Sequence, residues 1–296
     1  MSDGPRLVLR GHELCPTPKR PLMMGIVNAS PESFSDGALV GGLEQQVERA
    51  LGMCADGADL IDVGGESGVT DRPPVDAATE AGRVVPLVER LVAEGVVVSV
   101  DTWKGDVARA AIDAGAALVN DVSGLRDPGV AEACAAAGAG LVVTHTRADP
   151  KHKRFPAYDD VVADVIELLL ARTAAARAHG VGDEQLVVDP GPDLTKLPAE
   201  TVAVLASLPR IAALGRPVLL AVSRKDFVGA LTGRAPQERL AGTLAAIGAG
   251  LDGGASILRV HDVAAVADFL AVRSALRGER EPEPDLQLDP GLRRAV

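Results

Sequence analysis

Residues 185–196, QLVVDPGPDLTK, decide the predicted fold, because an apolar run stops there at Asp189 and is followed by Pro190 and Gly191. A β-branched run bounded by proline and glycine predicts a buried strand whose carboxyl end opens into a loop. The same pattern recurs in other apolar runs along the chain. The polar residues at which those runs end are Asn28, Glu66, Asp101, Asn120 with Asp121, His145, Lys225 and His261.

Segments with helical spacing separate the predicted strands. Residues 43–55, for example, place Val47, Leu51 and Cys54 on one face. Further helices are predicted near 78–94, 105–114, 128–137, 160–179, 199–213, 236–252 and 263–276. Eight alternating βα units without a break in composition predict one α/β domain, a (β/α)₈ TIM barrel.

The two ends of the chain are expected to lie outside the repeating units. A short strand at residues 7–11 should form a plug or hairpin ahead of the first barrel strand. Residues 278–296 are rich in proline and acidic side chains, which predicts a flexible tail. The barrel with its short N-terminal strand is therefore assigned to residues 1–277.

Composition excludes several classes of protein. The chain has 296 residues, a net charge of -11 and a pI near 5.0, so no nucleic-acid partner is expected. Hydrophobic residues make up 47% and aromatic residues only 2%, so the core must consist of Ala, Val and Leu. Cys15, Cys54 and Cys134 lack metal-ligand spacing and are expected to be reduced thiols of a cytoplasmic protein. Neither a signal peptide nor a membrane span is predicted.

Polar strand ends should meet in one place, because the carboxyl ends of all strands lie on the same face of such a barrel. Asp101 alone could be only the N-cap of the next helix. Asp189 is less easily explained in that way, because Pro190 follows it and no helix begins there. His145 is predicted to be a hydrogen-bonded core residue. Since buried unpaired charges are costly, the convergence of so many polar ends favours a ligand site.

The mixture of residue types at these ends indicates the chemistry of the ligand. Hydrogen-bond acceptors that suit a heterocycle with adjacent N–H groups are offered by Asp101, Asn120 and Asp189. Donors that suit a phosphate or pyrophosphate are offered by Asn28, Arg259 and His261. The predicted ligand is therefore an uncharged ring that carries an anionic leaving group.

Several motifs, in the right order, resemble those of the dihydropteroate synthase family. They are MGIVNASPESFSDG at 24–37, IDVGGES at 61–67, SVDTWK at 99–104, VNDVSG at 119–124, SRKDFVG at 223–229 and LRVHD at 258–262. The resemblance runs from about residue 22 to residue 276. It implies a (β/α)₈ barrel, usually a homodimer, that joins 6-hydroxymethyl-dihydropterin pyrophosphate to p-aminobenzoate with loss of pyrophosphate.

The resemblance also implies roles for individual residues. Pterin contacts are implied for Asp101, Asn120, Asp189 and Lys225, with Arg259 flanking the ring. Pyrophosphate contacts are implied for Asn28, Arg72, Arg259 and His261, with Asn28 as a ligand of a Mg²⁺ cofactor. Catalytic roles are implied for Asp36, in the loop after the first barrel strand, and for Lys225 and Arg259. In this family pyrophosphate leaves first and the arylamine traps a cationic pterin methylene, so no side-chain nucleophile is required.

The p-aminobenzoate half of the site departs from the family pattern. Where the second loop usually contains ESTRPG, this chain has GESGVTDRPP, so Gly68 follows the serine and Thr70 is displaced along with Arg72. Pro192 stands in a segment that is usually DPGFGFGK, where an aromatic residue helps to enclose the substrate. Asp226 replaces a common Ser or Arg. Unless it points away, its carboxylate would oppose that of the substrate by about 4 kcal/mol at ~4 Å.

Three functions are consistent with these motifs. The first is a dihydropteroate synthase-type transferase. The second is a paralogue that binds pterin but uses another amine or makes no product. The third is the pterin-binding module of a corrinoid methyltransferase system, which shares the VGG and ND strand ends but is disfavoured by the SRK, RVHD and FSDG motifs.

Overall fold

The computed structural model describes residues 5–29, 42–66 and 73–292. The strands are β1 (Leu7–Leu9), β2 (His12–Leu14), β3 (Leu22–Asn28), β4 (Leu60–Gly64), β5 (Val98–Asp101), β6 (Leu118–Asp121), β7 (Gly140–Thr144), β8 (Leu186–Asp189), β9 (Leu219–Leu220) and β10 (Ile257–Val260). The helices are α1 (Leu43–Ala55), α2 (Ala77–Ala93), α3 (Gly105–Asp113), α4 (Pro128–Ala137), α5 (Val161–Ala178), α6 (Pro198–Ala206), α7 (Leu208–Ala212), α8 (Asp226–Thr232), α9 (Leu240–Asp252) and α10 (Val263–Leu276).

Strands β3 to β10 form an eight-stranded sheet in the order β8-β7-β6-β5-β4-β3-β10-β9. All of its strand pairs are parallel. A parallel bridge between Val188 and Val218 joins β8 to the residue before β9, and the Val188 N–H donates to the Pro217 carbonyl at 3.0 Å. The sheet therefore closes on itself, and the predicted TIM barrel is confirmed.

The amino-terminal end of the barrel is closed by the hairpin of β1 and β2. These strands are antiparallel, and Leu7 and Leu9 are completely buried. They belong to an apolar cluster formed mainly by inward-facing strand residues. The other buried members of that cluster are Met24, Leu60, Ala117, Leu118, Val142, Val187, Leu219, Ala221 and Ile257. The hairpin is thus the predicted plug, and it leaves the carboxyl ends of the strands as the open face.

Leu9 provides a test of the plug. Its Cδ2 lies only 2.3 Å from where a Cβ on Gly140 would be, so the side chain fits tightly against β7. We expect Leu9→Ala to lower the free energy of unfolding by about 3 kcal/mol, because it leaves a cavity in a closed core. Urea denaturation measures this, with Leu286→Ala, at a residue that is 73% exposed, as the control. Equal, small effects of the two changes would contradict a packed plug.

Two helical segments differ from the prediction. The helix predicted at 199–213 is divided into α6 and α7 at Ser207, because Pro209, in the first turn of α7, has no N–H to donate backwards. Helix α8 was not predicted, since seven residues with only Phe227 and Val228 buried give too short a periodic pattern. Beyond α10 the described tail contains a 3₁₀ turn at Pro290–Leu292. Its separation from the barrel as a flexible tail stays a prediction.

In the part of the chain that the structure describes, none of the helices is both long and apolar enough to cross a membrane. The buried core consists mainly of Val, Leu and Ala, as the composition predicted, and it also contains several Ile residues.

Candidate functional site

A row of polar residues crosses the open face of the barrel. The register pairs Asn28 with Gly64, Gly64 with Asp101, and Asp101 with Asn120. Gly64 leaves room in this row, because a Cβ there would lie 3.4 Å from Asn28 Oδ1 and 3.8 Å from Asp101 Cβ. Three of the predicted site residues are therefore brought together by strand register alone.

Arg259 lies at the centre of this site. Its Nε donates to Asp62 Oδ2 at 2.6 Å, and its Nη2 donates to Asp101 Oδ2 at 2.7 Å. The Asn120 Nδ2 group also donates to Asp62 Oδ2, at 3.1 Å. Arg259 is thus fixed between two strands that lie far from β10 in the sequence, and the many carboxylates around it raise its pKa against the effect of burial.

Asp62 was not among the predicted site residues. Its side chain is completely buried inside the barrel, although it lies within the apolar run that forms β4. An acid inside such a run is the sequence signal that could have identified it, because a buried carboxylate requires a cation or several donors. Here the cation is Arg259.

Two buried acceptors at this site lack partners. Asp62 Oδ1 and Asn120 Oδ1 receive no hydrogen bond from any described residue. A flip of the Asn120 amide would not help, because its oxygen would then face Asp62 Oδ2. Buried acceptors without donors cost free energy, so this arrangement suits a ligand that brings N–H groups into the barrel mouth. Burial also raises the pKa of Asp101, although Arg259 opposes this.

Asp189 and Lys225 complete the acidic and cationic sides of the mouth. Asp189 Oδ1 accepts a hydrogen bond from the Gly191 N–H at 2.7 Å, and burial raises the pKa of Asp189 against this bond and the charge of Lys225. Burial lowers the pKa of Lys225, opposed by Asp193 and Asp189. These two predicted residues are therefore close enough that each affects the pKa of the other.

His261 is held as a neutral imidazole. Burial, reinforced by the charge of Arg259, lowers its pKa to about 3. The Ser223 Oγ accepts the backbone N–H of His261 at 3.2 Å and lies 2.9 Å from Nδ1. Since the hydroxyl hydrogen is free to donate to Nδ1, this contact favours the tautomer with its proton on Nε2. That nitrogen can then donate a hydrogen bond to an anion.

The residues of the altered half of the site are held by contacts of their own. The Asp226 carboxylate is 77% exposed and lies 3.0 Å from Arg239 Nη1, so its charge does not stand alone. Asp193, which directly follows Pro192 in the segment after β8, accepts hydrogen bonds from the Thr201 hydroxyl and the Phe227 N–H, both at 3.1 Å. Four residues predicted to belong to the site lie outside the described part of the chain: Asp36, Gly68, Thr70 and Arg72.

A further charged cluster lies at the edge of the mouth. The Lys104 ammonium donates to Glu66 at 2.7 Å, to Glu80 at 2.5 Å and to the Val75 carbonyl at 2.5 Å. Lys151, from the loop after β7, lies 3.4 Å from Glu66. None of these residues was predicted to contact substrate, although Glu66 is one of the polar residues at which the apolar runs end. The cluster ties the end of β4 to the start of α2.

A cavity of about 310 Å³ lies at the other end of the barrel, between residues 18–21 and α10. Its lining includes Arg20, Arg273 and Arg280 but none of the polar strand ends. The acceptors and cations described above are all at the opposite, open face. The candidate site is therefore the barrel mouth and not this cavity.

Known proteins resemble this chain over most of its length. The family model described as pterin binding enzyme matches residues 24–261. Dihydropteroate synthase of Bacillus subtilis is 37% identical over 260 residues, which are 87% of this chain and 89% of that protein. The structure of Xanthomonas albilineans dihydropteroate synthase with 4-aminobenzoic acid is 44% identical, with a TM-score of 0.85 over 93% of this chain and 98% of that one. A Mycobacterium leprae protein named inactive dihydropteroate synthase 2 is 39% identical over 271 residues, 89% of this chain and 93% of that protein.

Proposed function

Because the chain belongs to the dihydropteroate synthase family of pterin-binding enzymes, we propose that it joins 6-hydroxymethyl-dihydropterin pyrophosphate to p-aminobenzoate and releases pyrophosphate. The product would be dihydropteroate, an intermediate of folate biosynthesis. The observation that carries the proposal is the pair of unpartnered buried acceptors, Asp62 Oδ1 and Asn120 Oδ1. They lie beside the carboxylate of Asp101, as the N–H edge of a pterin requires.

The charges of the site suit the proposed reaction. The bond between the pterin methylene carbon and the pyrophosphate oxygen breaks, and its electron pair leaves with pyrophosphate. The lone pair of the arylamine nitrogen then forms the new C–N bond, and that nitrogen loses a proton to solvent. Fixed carboxylates such as Asp101 and Asp189 stabilise the cationic methylene, while Arg259 and the Nε2–H of His261 stabilise the leaving anion. Positioning and exclusion of water supply the rest.

We also propose that Mg²⁺ acts with the pyrophosphate, held on the protein side by Asn28. An amide oxygen at the row of strand ends is the kind of ligand that Mg²⁺ accepts. Within the described residues no group of three or more His, Cys, Asp or Glu side chains could hold a metal, so substrate and water oxygens would supply most ligands. The ion would neutralise charge on the departing pyrophosphate.

A paralogue that binds pterin without making dihydropteroate is the second candidate function. It is favoured by Asp226, and by the 39% identity to a relative named inactive. The two functions differ in the response of pyrophosphate release to p-aminobenzoate. The corrinoid methyltransferase module finds no support in the relatives reported above.

Asp226 provides a test of the altered subsite. We expect Asp226→Ser to tighten binding of p-aminobenzoate about three- to tenfold, because a like charge near the substrate carboxylate is removed. Arg239→Gln should weaken that binding, since it takes away the cation that now offsets Asp226. Calorimetric titration of both variants measures the effect. Unchanged binding isotherms in both would place Asp226 outside the subsite.

We propose a homodimer, as the family resemblance implies. The side chains of Val272 and Leu276, on one face of α10, are 61% and 83% exposed, which leaves apolar surface available for a partner. Static light scattering at micromolar concentration should give twice the chain mass of 30.4 kDa. A monomer mass would contradict this proposal.

A further inference from the structure

Lys196 is completely enclosed, although its side chain is long and cationic. It is only 1% exposed, at the end of the loop that follows β8. Its ammonium group lies 2.7 Å from His145 Nδ1, 2.9 Å from the Gly191 carbonyl and 3.0 Å from the Leu194 carbonyl. An ammonium has three hydrogens to donate, and these three acceptors use all of them.

His145 can only accept the hydrogen bond from Lys196. Its Nε2 lies 2.8 Å from Asp164 Oδ1, and Arg147 Nη2 holds the same carboxylate at 2.7 Å. Nε2 must carry the proton that faces the carboxylate, which leaves Nδ1 as an acceptor. Burial lowers the pKa of His145 to about 4, so the ring is neutral near pH 7. The predicted role of His145 as a hydrogen-bonded core residue is thus confirmed, and its partner is Lys196.

Gly191 connects Lys196 to the candidate pterin site. Its carbonyl accepts from Lys196, and its N–H donates to Asp189 Oδ1 at 2.7 Å. The residue has a φ of 64°, and a Cβ there would lie 2.1 Å from the His145 carbonyl oxygen. The backbone at Gly191 therefore has one close-packed arrangement. The carbonyl and the N–H of Gly191 belong to different peptide units, but because packing restricts φ and ψ at Gly191, a hydrogen bond to the carbonyl also limits the direction of the N–H toward Asp189.

We propose that Lys196 is a positioning residue, whose ammonium group holds Gly191 so that the Asp189 carboxylate keeps the orientation that binds the pterin. The inference rests on the proposed function and adds a residue that makes no contact with substrate itself. It predicts a pH-dependent pterin affinity, because a neutral amine would donate one hydrogen bond fewer than the three acceptors require.

The charged groups around Lys196 come from four elements. They are Asp164 of α5, Asp189 of β8, Asp193 of the following loop and Lys225 before α8, together with neutral His145. Burial lowers the pKa of Lys196 to about 7, while Asp189, Asp164 and Asp193 oppose this and Lys225 reinforces it. The ammonium form is complete below this pKa and is lost as the pH rises above it. Pterin affinity should therefore decline above neutral pH.

The effect of the hydrogen bond from Lys196 to the Gly191 carbonyl can be tested without any ligand. We expect the Gly191 amide resonance of the wild-type protein to shift between pH 6 and pH 9, with a midpoint near 7. In Lys196→Met this titration should be absent. A Gly191 resonance that titrates equally in both proteins would overturn the inference, because another group would then control the Gly191 to Asp189 bond.

The effect on binding is tested with 6-hydroxymethyl-dihydropterin pyrophosphate. At pH 6 we expect Lys196→Met to weaken its binding about tenfold, the effect of one charge-assisted hydrogen bond. The ratio of the variant to the wild-type dissociation constant should fall toward one by pH 9, because the wild-type lysine then loses its proton too. Titration of the ligand itself cancels in this ratio. Lys153→Met, at an exposed lysine, is the control and should give a ratio of one throughout.

A ratio near one at every pH would mean that Lys196 has no part in positioning the site, and would overturn the inference. If Lys196→Met does not fold, Lys196→Gln, which keeps a neutral donor, is taken through both experiments. Wild-type protein that fails to bind the pterin at any pH would instead overturn the proposed function. The pH titration of the Gly191 amide resonance would still decide whether Lys196 fixes the backbone at Gly191.

Discussion

Replacement of Arg259 by methionine is expected to lower the free energy of unfolding by about 3–5 kcal/mol and to abolish turnover. The guanidinium bridges Asp62 at 2.6 Å and Asp101 at 2.7 Å, and Asp62 is completely buried. Removal of one partner from a buried ion pair leaves a charge without compensation, which is the costly way to break such a pair. Methionine has a similar length, so the loss of charge and not of volume should dominate.

Urea denaturation of the Arg259→Met protein measures this effect. Arg273→Met is the matched control, because Arg273 pairs at 2.8 Å with Asp252, whose side chain is 51% exposed. Loss of that surface pair should cost less than about 1 kcal/mol. In Arg259→Met the pKa of Asp101 should rise further, because burial raises this pKa and the charge of Arg259, which lowers it, is gone. Protonation of Asp101 then removes the buried charge, so the loss of unfolding free energy should be smaller at pH 5 than at pH 8. If both variants lose the same unfolding free energy, and this loss does not depend on pH, the central role of Arg259 is contradicted.

Replacement of Asp189 by asparagine is expected to lower kcat/KM by about 100-fold or more while the protein stays folded. Asparagine has the same shape, but it offers one acceptor and one donor where the carboxylate offers two acceptors. A pterin edge with two parallel N–H groups would lose one charge-assisted bond and meet an opposing donor. Stability should change little, because burial of Asp189 already disfavours its charge.

Steady-state kinetics and thermal unfolding of Asp189→Asn separate these two effects. Asp183→Asn, at a side chain that is 56% exposed, serves as the control and should retain wild-type kinetics. A fall in kcat/KM of less than threefold in a folded Asp189→Asn protein would exclude Asp189 from pterin recognition.

The fold could be predicted from sequence because each apolar run that contains a barrel strand is followed by a polar residue at or just beyond the end of the strand. Those polar residues marked the apolar runs that form β3 to β10. They include the run that contains β9, in which only two residues pair regularly. The convergence of Asp101, Asn120 and Arg259 followed from the same pattern, since parallel register aligns strand ends whatever their separation in the chain. Contacts made by strand ends were therefore the predictable part of the site.

Contacts that depend on side-chain burial could not be predicted in this way. Asp62 precedes the end of its strand, so a rule based on strand ends passes over it. The burial of Lys196 depends on a loop with positive φ at Gly191, Asp193 and Thr195, which composition does not reveal. The pairing of Asp226 with Arg239 required the path of the chain after α8. The roles of Asp36 and Arg72, which lie outside the described residues, stay predictions.

The most direct test of the proposed function is a turnover assay with 6-hydroxymethyl-dihydropterin pyrophosphate that follows pyrophosphate release with and without p-aminobenzoate. We predict release that requires p-aminobenzoate and yields dihydropteroate in equal amount. Pterin binding without any product would contradict synthase activity, and would identify the chain as a paralogue that kept only the pterin half of the site.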